Sequence, residues 1–189
     1  MTLNLIALLS KFDQPEWSGG SHTAPELRLL LFALAYSLRA TRIIETGYDA
    51  GMTTVVLAET GAEVVGIDNG EEYPNVKGAA TERVKEYPNI ELIEGDALEY
   101  LRSQADNSID FIFIDDAHHY NWVLTEALEV KRILRPGGLA AFHDTTECNI
   151  WEIIDNVFAD WQRIELPAIS PGLSRDMGVG VVRKPGNGV

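Results

Sequence analysis

The 189-residue chain has a single cysteine, Cys148. No intramolecular disulfide can form, and no thiolate set for a structural zinc is present. That scarcity suits a reducing cytosol. Basic residues are also few, 15 Lys+Arg against 29 Asp+Glu, giving a formal charge of −14. Such a field repels polyanions at long range, so nucleic acid is disfavoured as a partner. The longest apolar run, Leu29 to Tyr36, is too short to cross a membrane. Met1 to Ser10 is apolar but lacks the basic flank of a secretory signal. Repeats and low-complexity tracts are absent, and disorder is suggested only at Pro185 to Val189. A cytoplasmic protein of one domain is expected, with 46% hydrophobic residues to fill its core.

What is present alternates. A short amphipathic helix, Leu3 to Leu9, and a Pro/Gly/Ser loop around Trp17 make up an N-terminal segment, 1–22. From Thr23, with Glu26 three residues on and Pro25 between them, a capping box opens a helix running to about Arg39. Apolar strands follow at Thr41–Glu45, Glu63–Asp68, Ile90–Glu94, Ile109–Asp115 and Leu139–His143, each separated from the next by a helical segment. Strands apolar on both faces and alternating with helices imply a parallel, doubly wound α/β sheet. The tail differs: Gln162–Leu166 and Gly178–Arg183 are joined without a helix, which predicts an antiparallel hairpin at the edge of a seven-stranded sheet. The domain is expected to span 23–184.

Open α/β sheets bind ligands at the carboxyl ends of their strands. Here all five parallel strands end in acids: Glu45, Asp68, Asp96, Asp115-Asp116 and, after His143, Asp144. A dinucleotide loop, G-x-G-x-x-G, fails from Gly47 onward, because Asp49 and Met52 stand where glycines are needed. A pyrophosphate would face Asp49, anion against anion.

The pattern Glu45-x-Gly47-x-x-x-Gly51 resembles motif I of class I S-adenosylmethionine-dependent methyltransferases, and Leu134-Arg135-Pro136-Gly137-Gly138-Leu139 is similar to their turn before the fifth strand. The resemblance covers roughly Thr23 to Arg183 and implies a Rossmann-like fold. It implies a cofactor pocket of Glu45, Gly47, Tyr48, Gly51, Thr53, Asp68, Asn69, Asp96, Ala97 and Asp115, with Asp68 on the ribose hydroxyls and Asp96 near the adenine amino group. Asp96 also reads as a helix N-cap.

The segment Asp115-Asp116-Ala117-His118-His119-Tyr120 resembles catechol-type and, more closely, macrocin-type sugar O-methyltransferases. That resemblance implies Asp115 as a catalytic metal ligand, His118 as general base, and a metal site completed by the fifth strand end, His143 and Asp144. It also implies a small-molecule hydroxyl acceptor. Asp116 reads as a helix cap or a cofactor helper, and His119 as a surface or packing residue. Magnesium prefers oxygen ligands, so His143 leaves three arrangements open: a softer divalent metal, a metal on Asp115 and Asp144 alone, or none. The rival readings are a metal-independent N- or O-methyltransferase and a non-catalytic S-adenosylmethionine-binding protein. The chain lacks long insertions, so a homodimer could complete an open pocket.

Overall fold

A computed structural model describes residues 23–70, 77–146, 149–167 and 178–186. The expected N-terminal helix, Trp17 and His22 lie outside the described residues. Six helices are described: α1 (Pro25–Leu38), α2 (Met52–Ala58), α3 (Lys77–Val84), α4 (Ala97–Ser103), α5 (Tyr120–Ile133) and α6 (Ile150–Val157). The strands are β1 (Arg42–Thr46), β2 (Glu63–Asp68), β3 (Ile90–Glu94), β4 (Ile109–Ile114), β5 (Leu134–His143), β6 (Gln162–Leu166) and β7 (Val179–Arg183). They form one seven-stranded sheet in the order β3-β2-β1-β4-β5-β7-β6. The first five strands run parallel, while β7 pairs antiparallel with both β5 and β6. Among the described residues, no helix is long and apolar enough to cross a membrane.

The strand sequences explain this layering. Every residue of β4 is buried, as an apolar run at the centre of a covered sheet must be. One face packs on Val123, Ala127, Val130 and Ile133 of α5, spaced as one helical stripe, and on Ile150, Ile153 and Ile154 of α6. The other face packs on Leu27, Leu31 and Ala35 of α1 and on Leu57 and Ala58 of α2. The chain order reverses between β1 and β4. Their carboxyl ends therefore flank the crevice where such sheets bind ligands.

Two local expectations are corrected. Thr23 is not a cap: Ala24 holds the N-cap position with extended backbone and no side-chain bond. The Thr23 hydroxyl instead donates to Asp115 Oδ2 at 3.1 Å, because a carboxylate is a stronger acceptor than any group within the turn. The Arg-Pro-Gly-Gly segment does not precede β5 but lies within it. Ile109 pairs with Leu134 and Phe111 with Leu139, so three extra residues of β5 bulge between these pairs. Gly137 takes φ +78° there and donates to the carbonyl of Lys184 at 3.0 Å, tying the bulge to the end of β7.

Candidate active site

The loop after β1 is shaped by its own chain. Gly47 has φ +76°, and a Cβ there would lie 2.2 Å from the Asp115 carbonyl oxygen and 2.7 Å from Asp116 Cα. The glycine is required because the backbone leaving β4 crosses it, before any ligand is considered. Gly51 also takes positive φ, +74°, but a Cβ there would meet only ordinary contacts with α3. Asp49 adopts φ +43° between them, and its amide donates to Asp68 Oδ2 at 3.0 Å. Asp68 Oδ1 accepts from Gly70 N at 2.7 Å. Both Asp68 oxygens are thus aimed and fixed, and each retains a second lone pair for a hydroxyl.

Glu45 lies beneath this loop, 1% exposed, and accepts from the Thr54 hydroxyl at 2.5 Å. Burial pushes its carboxyl up to about 8. The Thr54 bond opposes that shift, and the charges of Asp115, Asp68 and Asp49 add to it. Thr53 and Ala97 are buried, Asn69 and Asp96 exposed. Tyr48 is also buried, with its ring near 3.2 Å from where a Gly66 Cβ would stand. Asp96 caps α4 by accepting from Glu99 N at 2.8 Å, as its position predicts.

At the ends of β4 and β5 the acids and histidines converge. His143 Nδ1 lies 2.6 Å from Asp115 Oδ1 and 3.4 Å from Asp144 Oδ1. His118 Nε2 contacts Asp144 Oδ2. Asp144 reaches this position with φ +53°, a left-handed backbone that turns the chain sharply off β5. One ligand atom each from Asp115, His118 and Asp144 falls within 4.8 Å of the others. Two carboxylates and an imidazole suit a first-row divalent cation better than magnesium. The structure therefore brings His118 into the possible ligand set and turns His143 toward Asp115. A cavity of about 10 Å³, at the limit for one water, opens between His118, His143, Asp115 and Ile150. His119 is exposed at the N-cap position of α5 and makes no side-chain cap bond.

Asp116 is not a cap either. It accepts from the Thr46 hydroxyl at 3.2 Å and from Trp122 Nε1 at 3.0 Å. Glu126, fully buried on the inner face of α5, was not anticipated, and among the described residues no N–H or hydroxyl donates to either of its oxygens. Burial, then the Asp116 charge and hydrogen bond, push Glu126 far above the usual carboxylate range. Burial raises Asp116 as well, opposed by bonds from Glu126, Trp122, Ala117 and Thr46. A Glu126 carboxyl that keeps its proton faces Asp116 without charge repulsion. The one sequence signal for Glu126 was a charged residue inside the Val123–Ala127–Val130 stripe.

The loop's chemistry fits a cationic ligand. The charges of Asp115, Asp68 and Asp49 converge on Glu45 beneath it, an arrangement that tolerates a sulfonium and an ammonium but not a pyrophosphate.

Known proteins share the family domain and the fold. Residues 44–145 match the family model described as a methyltransferase domain. An O-methyltransferase of Aspergillus hancockii is 29% identical over 138 residues, 67% of this chain and 54% of that protein. The chain thus spans about half the length of that curated relative. Among solved structures, the O-methyltransferase of Bacillus cereus in complex with S-adenosylhomocysteine superposes with a TM-score of 0.67 at 18% identity, covering 95% of this chain and 90% of that one. The O-methyltransferase of tomaymycin synthesis from Streptomyces achromogenes, bound to S-adenosylmethionine, gives 0.67 at 18%, covering 98% and 92%. A Corynebacterium glutamicum protein gives 0.72 at 16%, covering 99% and 94%. At these identities the shared property is the fold.

Proposed function

The chain belongs to the methyltransferase family, and from that premise we propose that it transfers a methyl group from S-adenosylmethionine to a hydroxyl of a small molecule. The observation that carries the hydroxyl reading is the contact of His118 Nε2 with Asp144 Oδ2, beside Asp115. S-adenosylmethionine, when bound, supplies a methyl on a sulfonium, open to in-line attack. Asp68, fixed by the amides of Asp49 and Gly70, holds the ribose hydroxyls. Asp144 fixes the His118 tautomer by accepting from Nε2, so the neutral ring carries its lone pair on Nδ1. Nδ1 takes the acceptor's proton as the oxygen–methyl bond forms, and Asp144 stabilises the imidazolium. Holding the oxygen in line supplies much of the remaining acceleration.

The clustering of Asp115, His118 and Asp144 favours a second reading, in which the same three side chains hold a divalent cation. The cation would lower the pKa of the acceptor hydroxyl, and His118 would be a ligand.

Calorimetry with S-adenosylhomocysteine, and turnover on a panel of phenolic and sugar hydroxyls, test both. The wild type binds the nucleoside. His118→Ala and Asp144→Ala lose turnover by roughly 100-fold or more, the usual contribution of a positioned base, and keep nucleoside affinity within about threefold. Full turnover in His118→Ala removes the base. Loss of turnover on chelation, restored by manganese, selects the metal reading. Binding by the wild type without turnover on any acceptor leaves a non-catalytic binding protein.

A further inference from the structure

Arg28 is a charged residue in the apolar stripe of α1, between Leu27 and Leu31, and it is 2% exposed. Its Nε and Nη1 have no hydrogen-bond partner among the described residues. A guanidinium does not shed its proton at any physiological pH. A buried, unpaired one is costly unless something anionic arrives to meet it. Burial and the neighbouring Arg83 hold Arg28 down to about 10, and among the described residues Glu26 acts in the opposite direction.

The position of Arg28 is as informative as its burial. Arg83 donates through Nη1 to the carbonyl of Ala50, within the glycine loop, and feels the charge of Asp49. Arg28 lies close enough to Arg83 to feel its charge. Five residues before Arg28, Thr23 donates to Asp115. The first turns of α1 therefore lie over the same strand ends as the loop. Arg83 is committed to a carbonyl, whereas Nε and Nη1 of Arg28 meet no acceptor among the described residues.

The proposed cofactor carries one anionic group, the carboxylate of its methionine portion. The acids around the loop suit its cations and its ribose, and the ionised ones repel that carboxylate. Building on the cofactor reading above, we propose that Arg28 holds this carboxylate, as the positioning residue for the methionine end of the cofactor. A planar guanidinium matches a carboxylate with two parallel hydrogen bonds.

The test compares S-adenosylhomocysteine, which has the carboxylate, with 5′-methylthioadenosine, which has neither carboxylate nor amine. The full chain is used as wild type, Arg28→Met, which keeps the apolar stem, and Arg28→Lys. Arg28→Met should weaken S-adenosylhomocysteine by about 10- to 100-fold, the scale of charge-assisted hydrogen bonds, and leave methylthioadenosine within about twofold. Arg28→Lys should fall between them, because it keeps the charge and loses the fork. The melting temperature of the ligand-free Arg28→Met protein should stay level or rise, since an unpaired buried charge has been removed. Equal affinities for S-adenosylhomocysteine in wild type and Arg28→Met overturn the proposal. So does an equal loss for both ligands, or a lower melting temperature in both variants, which marks a packing role. An acceptor carboxylate at Arg28 would instead raise the acceptor KM with nucleoside affinity unchanged, and that also overturns it. Failure of the wild type to bind either nucleoside is a different result and refutes the cofactor itself.

Discussion

Replacing Glu45 with Gln should change how stability depends on pH, with little effect in acid. Glu45 holds its proton to about 8 because burial disfavours the charge and three nearby carboxylates repel it, while Thr54 bonds it. In the unfolded chain the same group titrates near 4.5. Between those values the folded state binds the extra proton, so the contribution is fully present below 4.5 and is lost as pH rises through 8. The displacement corresponds to roughly 5 kcal/mol as an upper bound, at about 1.4 kcal/mol for each pH unit. Glutamine mimics the protonated acid, accepts from Thr54 and does not titrate. Urea unfolding of both proteins at pH 5, 6, 7, 8 and 9 isolates the effect, because Asp116 and Glu126 are common to both and cancel in the difference. The advantage of Glu45→Gln should grow by up to about 1.4 kcal/mol per pH unit and level off above pH 8. Parallel curves across the range would mean that Glu45 is already ionised at neutral pH, and the burial argument would be refuted.

Gly47→Ala and Gly51→Ala should separate two reasons for glycine. The first adds a Cβ 2.2 Å from a backbone oxygen and should cost about 3 kcal/mol or more or abolish folding; the second adds only a strained φ and should cost about 1–2 kcal/mol. Similar melting temperatures for the two would contradict that ordering. Asp110→Ala should destabilise by about 3 kcal/mol in denaturant titrations at pH 7. It strands the amides of Thr41 and Arg42, which Asp110 accepts at 2.7 and 2.9 Å, and the Arg135 guanidinium. Burial raises the Asp110 carboxyl, but Arg135 and Thr41 outweigh it and hold the group at about 2. Its contribution is therefore present above pH 4 and lost as pH falls toward 2, so the variant and wild type should converge in acid.

Much of the site was legible because strand ends in an open α/β sheet are ligand positions wherever they occur. The acids at Glu45, Asp68, Asp96, Asp115 and Asp144 follow from period and run length alone. Their partners did not follow. Thr23 has an acid three residues on and reads as a cap, yet its acceptor lies 92 residues away. Asp116 precedes a helix and reads as a cap, yet it bonds β1 through Thr46 and faces the buried Glu126.

The sequence by itself determined the order of elements, the parallel sheet with its antiparallel edge, and the acids around one loop. Those are consequences of local periodicity and of where apolar runs stop. Only the tertiary structure decided what Gly47 avoids, which histidine meets which aspartate, and that Arg28 is buried with Nε and Nη1 unmet by any described residue. Each of these depends on chain segments brought together by packing α1 and α5 on opposite faces of one sheet, and no local pattern records that distance.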